Sequence, residues 1–209
     1  MPGSNKGGSK ALESSRNPPI LFATSNRGKM QEALQILRPF GISLQQYHGK
    51  GTEIQADTTS EVAEYASREA ARRAGRAILV EDAGFFVDSL AGFPGVYSAY
   101  VFKTVGVKGI LNLLVDSSKG ETTSRKVRFI SSVAYCEPGG EPAIFDGSVT
   151  GSVASEPRGA RGFGFDPIFV PDGKEMTFGE MTLGEKCIIS HRGIALRKFA
   201  KWYSARNHQ

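Results

Sequence analysis

Thr24, Asn26 and Lys29 stand in the turn "TSNRGK", between the apolar run "ILFA" (20–23) and an amphipathic stretch that follows it. A strand that enters a helix through small polar residues puts backbone N–H groups and a lysine at the helix N-terminus, which is chemistry suited to a phosphate. The loop of ATPases and GTPases is excluded, because it needs glycine where Ala23 stands and a hydroxyl where Met30 stands. A lysine in a first helical turn opposes the helix dipole and so calls for an anion. An ordinary N-cap by Ser25 or Asn26 with a solvated lysine accounts for this stretch equally well when it is taken alone.

Three further clusters carry reactive side chains. In "VEDAG" (80–84), Glu81 and Asp82 end an apolar run. Adjacent carboxylates there repel and are costly to desolvate, so they call for a cation or for donors nearby. Strand alternation sends them to opposite faces, so one works in a cleft and the other supports it. Glu53, in "GKGTEIQAD", is a second acid in a polar loop, and Glu53 with Asp82 meets the preference of Mg²⁺ for one or two carboxylates plus phosphate oxygens. The last cluster joins "RGFGFDP" (161–167) to "EKCIISHRG" (185–193). Phe163 and Phe165 offer rings to stack on a planar base, Asp166 an acceptor, and Ser190, His191 and Arg192 donors to ring oxygens or phosphate. Adjacent Ser190 and His191 at a helix start are poorly placed as nucleophile and base, which argues against a serine hydrolase.

The elements that must position these groups follow from periodicity. Residues 20–23 read as a buried strand. Residues 29–38 read as a helix with Met30, Ala33, Leu34 and Leu37 on its apolar stripe, stopped by Pro39 and Gly41. "ISLQQY" (42–47) is the next strand, and Thr58 with Glu61 forms a capping box for a long helix ending near Gly75. "AILVED" predicts a strand closed by the two acids. Residues 104–115 predict a helix, residues 126–135 and 142–153 a hairpin, and a last helix starts near Gly193 with Leu196, Phe199 and Trp202 at core spacing. Strands alternating with helices and followed by a hairpin predict a mixed α/β fold with a largely parallel sheet.

The chain has 209 residues, 40% of them hydrophobic, enough for one domain with a sizeable core. Its apolar runs are far too short for a bilayer, so no membrane role is expected. Residues 1–19 lack an apolar signal region and read as a disordered leader, leaving 20–209 as the working domain. Cys136 and Cys187 match neither a disulfide framework nor metal-ligand spacing, which suits a reducing, cytoplasmic setting. The net charge of +5 is scattered and not gathered into a stripe, so nucleic acid is not an expected partner. A polyanionic small molecule is.

Taken in order, "TSNRGK", "EIQ", "VEDAGFFVDSLAGFPGVYSAY", "GFGFDPIF", "EMT", "EK" and "SHRGIAL" resemble the inosine triphosphate pyrophosphatase family, in its archaeal and eukaryotic branch, over roughly residues 20–203. The resemblance implies a single elongated two-lobed α/β domain with the nucleotide cleft between its lobes, and a homodimer. It implies hydrolysis of dITP, ITP and XTP to the monophosphate and pyrophosphate with Mg²⁺, Mn²⁺ being a substitute. By resemblance Thr24, Asn26 and Lys29 hold the triphosphate, Glu53 and Asp82 the metal, and Asp82 is catalytic with Glu81 and Lys29 beside it. Phe163, Gly164, Phe165 and Asp166 form the base pocket, closed by Lys186, Ser190, His191 and Arg192. Ala83 departs from bacterial relatives, which often have serine there. Three rivals remain at this point: a Maf-like pyrophosphatase, whose opening motif has arginine in place of Lys29, a non-catalytic nucleotide- or RNA-binding protein, and a metal-free anion-binding regulator.

Overall fold

The first strand, β1 (Ile20–Ala23), sits at the parallel end of a seven-stranded mixed sheet. A computed structural model describes residues 18–49, 54–115 and 124–207; the leader expected over 1–19 lies almost wholly outside them. β1 pairs in parallel with β2 (Leu44–Tyr47) on one side and with β3 (Ile78–Val87) on the other. The remaining pairings, β3 with β4 (Pro94–Gly95), β3 with β5 (Lys126–Cys136), β5 with β6 (Ala143–Val153) and β6 with β7 (Phe169–Pro171), are all antiparallel. The sheet is mixed as expected, but antiparallel pairing carries most of it. Alternating apolar runs cannot reveal this, because a long hairpin such as β5–β6 adds its ladder wherever tertiary pairing puts it.

The acids do not close β3. β1 leaves β3 at Val80, while β5 stays paired with it from Ile78 to Val87, so Glu81 and Asp82 sit where the strand loses one neighbour and keeps the other. That is the place where a cleft opens at the end of the short β1.

Among the described residues six α-helices flank the sheet: α1 (Arg27–Leu37), α2 (Thr59–Ala74), α3 (Ser98–Thr104), α4 (Gly106–Leu113), α5 (Leu183–Ile189) and α6 (His191–Asn207). Both halves of the expected capping box on α2 are present, and Gly75 ends that helix at φ +61°. α3 and α5 were not anticipated. α5 opens with a second capping box, Thr182 with Glu185, which its sequence spacing does encode.

Among the described residues a small apolar cluster, Leu21, Ala71, Ile78, Val80 and Cys136, packs α2 against the sheet, and two larger cores divide the domain into lobes. In one, Phe22, Leu37, Leu79, Val133, Leu196 and Phe199 join β1, α1 and α6. In the other, Phe85, Val101, Ile110, Phe129, Phe165 and Phe169 join the far halves of β3 and β5 to α3 and α4. β3 and β5 run through both.

Candidate active site

Between the lobes lies a cavity of about 340 Å³. The turn before α1 contributes Asn26 and Lys29, β3 contributes Asp82, α3 contributes Ala99 and Lys103, the loop after β6 contributes Phe163 and Gly164, and α5 and α6 contribute Lys186, His191 and Arg192. Of the residues expected at the site, all but four border this one space. Thr24 stands behind the turn, its Oγ1 accepting from Asn26 N at 3.1 Å. Glu81 is buried beneath the cavity, and Ser190 is fully buried at the α5–α6 junction. Glu53 lies outside the described residues.

Asn26 caps α1, its Oδ1 accepting from Lys29 N at 3.1 Å. Lys29 reaches from the first turn to Glu81, with Nζ 2.8 Å from Oε2 and 3.0 Å from the backbone oxygen. From there a chain of alternating charge runs below the cavity. Glu81 Oε1 is 3.0 Å from Arg192 Nη2, Arg192 Nη1 is 2.7 Å from Glu32 Oε2, Glu32 Oε1 is 2.7 Å from Lys186 Nζ, and Lys186 Nζ is 2.5 Å from Asp166 Oδ2. Three acids thus alternate with three bases, joining the opening turn to the loop at 161–166. Apart from Lys29, every member is buried. Charges taken this far from water persist only with such complete pairing.

The pairing fixes the charge states. Burial works against the charge on Glu81, but Arg192 and Lys29 outweigh it and hold the carboxyl well below the usual range. Glu32 is likewise lowered, burial being overcome by Arg192 and Lys186. Asp82 is outside the chain. Burial pushes it up to about 6 although Lys29 pulls the other way, and its Oδ2 is buried with no hydrogen-bond partner among the described residues. Burial, with Arg192 and Lys186 nearby, lowers His191 well below 6.5, so the imidazole is neutral at pH 7. Its ring stacks on Phe129 at 4.5 Å and 7°.

Three placements correct the expected roles. Phe165 is not a free stacking platform: it lies 4.9 Å from Phe85 at an interplanar angle of 20° and meets Phe102 edge-on, as part of the second core. Asp166 Oδ2 is committed to Lys186 and to Phe163 N, which donates at 2.7 Å. The loop closes this tightly because Gly162 has φ +74° and a Cβ there would stand 2.1 Å from that same oxygen. Ser190 Oγ accepts from Gly193 N at 3.0 Å and so caps α6 instead of facing a ligand. Phe163 is the ring that remains half-buried at the cavity, with Lys186 Nζ 4.7 Å and Arg192 Cζ 5.2 Å from its centroid. Its edge rests on Gly28, where a Cβ would come within 2.3 Å of Cδ1.

Glu32 went unnoticed in the sequence. The expected stripe of α1 included Leu34, which is 42% exposed, whereas the buried set is Glu32, Ala33, Ile36 and Leu37. The signal was available: Glu32 lies four residues before Ile36, on the apolar side of the helix.

The model of the Ham1 family matches residues 20–202. A dITP/XTP pyrophosphatase of Methanopyrus kandleri is 51% identical over 184 residues, covering 88% of this chain and 95% of that protein. Another, from Thermococcus kodakarensis, is 52% identical over 183 residues, covering 88% and 96%. A HAM1 protein structure from Coxiella burnetii superposes with a TM-score of 0.78 at 29% identity, covering 90% of this chain and 98% of that one. The fold, the arrangement of the cavity and these likenesses agree: the chain belongs to the Ham1 family.

Proposed function

We propose that this protein hydrolyses dITP, ITP and XTP to the nucleoside monophosphate and pyrophosphate, removing non-standard purines from the nucleotide pool. The observation that carries this reading is the one cavity that joins the cationic donors Lys186 and Arg192, beside Phe163, to the carboxylate of Asp82 and the opening turn at Asn26 and Lys29. Lysine and arginine donate and never accept. A 6-oxo group satisfies them, whereas the 6-amino group of adenine leaves donors facing donors, and buried unpaired groups give strong discrimination.

At the reacting end, water attacks the α-phosphorus, the bond to the bridging oxygen breaks, and pyrophosphate leaves. Asp82, with its partnerless Oδ2, takes the proton of the attacking water. Asn26 spends its carbonyl on the cap, which leaves the side-chain NH₂ to donate to a phosphate oxygen. The neutral His191 stays packed on Phe129, while Glu32 and Glu81 hold Arg192 in place. A divalent cation fits the hard carboxylate of Asp82, and Glu53 is the second ligand this reading assigns to it. Mg²⁺, or Mn²⁺ in its place, supplies charge neutralisation to the polyphosphate when bound. Chelation by EDTA should abolish turnover and added Mg²⁺ restore it.

The cytoplasm, where the nucleotide pool is, is the compartment this reading implies. A homodimer is part of it as well. Beyond the start of α2 the sheet carries Phe86, Ile130 and Ser148 around an open cavity of about 500 Å³, a surface suited to a second copy. Light scattering at micromolar concentration tests the dimer. The decisive test of the reaction is product identity: pyrophosphate, not orthophosphate, from ITP, dITP and XTP, with ATP far slower. Orthophosphate release, or equal rates on ATP, would refute the reading.

A further inference from the structure

Among the described residues four cations line the cavity, and three of them are already neutralised. Lys29 is paired with Glu81, Lys186 with Glu32 and Asp166, and Arg192 with Glu32 and Glu81. Asp82 then adds a carboxylate that none of these pairs uses. A polyphosphate entering here meets walls whose fixed charges already cancel, and each new contact must draw on a cation shared with a buried acid. The fourth cation is Lys103, in the last turn of α3, and it has no carboxylate partner among the described residues.

α3 is fixed so as to present Lys103 there. At its start Ser98 Oγ accepts from Phe85 N at 2.7 Å and donates to Gly95 O at 2.6 Å, tying the helix to β3. Phe102 meets Phe165 edge-on at 5.5 Å, tying the other end to the loop that carries Phe163. Ala99, one turn before Lys103 and on the same side of the helix, also borders the cavity, and its small side chain leaves room for a ligand. Val101 is buried in the core of the second lobe, so Lys103 approaches from the lobe opposite Lys29.

We propose that Lys103 binds the phosphate chain of the substrate from the second lobe, as the cavity cation that has no carboxylate partner among the described residues. The proposal rests on the nucleoside triphosphate reading above and extends it to a residue on an element the opening turn does not touch. An exposed lysine is a point charge on a flexible stem, so its contribution is to binding and not to the chemical step. It should therefore appear in KM and leave kcat nearly unchanged.

The test uses the full chain and three variants, Lys103→Ala, Lys103→Glu and Lys103→Arg. Inorganic tripolyphosphate, titrated calorimetrically, should bind about tenfold more weakly to Lys103→Ala, as for loss of one charge-assisted hydrogen bond. Lys103→Glu should bind it more weakly still, and Lys103→Arg within about twofold of wild type. KM for ITP should follow the same order, while the affinity for inosine, which has no phosphate, stays unchanged. Wild-type affinity of Lys103→Ala for tripolyphosphate would overturn the proposal, as would an equal loss of inosine binding, since either result means that the side chain does not meet phosphate. If wild type releases no pyrophosphate from ITP while the tripolyphosphate series holds, the reaction assignment fails and the phosphate contact stands.

Discussion

Replacing Glu32 by glutamine cuts the alternating chain of charges at its centre. Both of its oxygens are used, at 2.7 Å to Lys186 and 2.7 Å to Arg192, and the residue is 1% exposed. Removing one partner of a buried pair costs about 3–5 kcal/mol, because the charge left behind stays desolvated. Here Lys186 keeps Asp166 and Arg192 keeps Glu81, so neither cation is stranded, and the cost falls at the lower end, about 3 kcal/mol. In a urea titration read by circular dichroism this lowers the midpoint by about 1–2 M. Glu141→Gln, which breaks an exposed pair with Arg68, is the control and should leave the midpoint where it is. Equal midpoints for the two variants would refute the argument that Glu32 is the keystone of a closed network. KM for ITP should rise in the same variant, since Lys186 and Arg192 lose the anchor they share.

Asp82→Asn should lower pyrophosphate release from ITP by at least about a hundredfold, while its melting temperature equals or exceeds that of wild type, because burial disfavours the charged carboxyl that is removed. Gly28→Ala pushes a methyl group into Phe163 and should cost about 1–3 kcal/mol, with a raised KM for ITP in steady-state assays as the ring is displaced. His191 gives stability a pH dependence. The unfolded chain takes up a proton near 6.5 and the folded one only well below it, so stability is complete above that pH and falls as pH drops through it. His191→Phe keeps a ring against Phe129 and removes the titration; wild type should lose about 1 kcal/mol relative to it between pH 6.5 and 5.5 in parallel urea titrations.

Features written in local chemistry were legible in the sequence. The strand, turn and helix from Ile20 to Leu37, the capping box of Thr58 and Glu61, and the β5–β6 hairpin all follow from periodicity and caps that neighbours reinforce. What stayed hidden depends on partners far along the chain. Glu81 and Asp82 looked like a strand end because apolar residues stop there, yet β5 continues the ladder past them. Glu32 went unnoticed because the cations that bury it lie more than 150 residues away. Phe165 offered the same ring as Phe163, and only the packing of Phe85 and Phe102 assigns one to the core and the other to the cavity. α3 was missed because Tyr100 and Phe102, both exposed, blur its helical period.

That β3 and β5 traverse both lobes without a break bears on how the enzyme admits and releases its ligand. Swinging one lobe away from the other would tear ladder bonds out of a continuous ribbon, so the width of the mouth is set by the twist of the sheet. The two rims are pinned as well, the loop at Phe163 by Asp166 and α3 by Ser98, so a ligand enters a mouth whose shape is already set before it arrives.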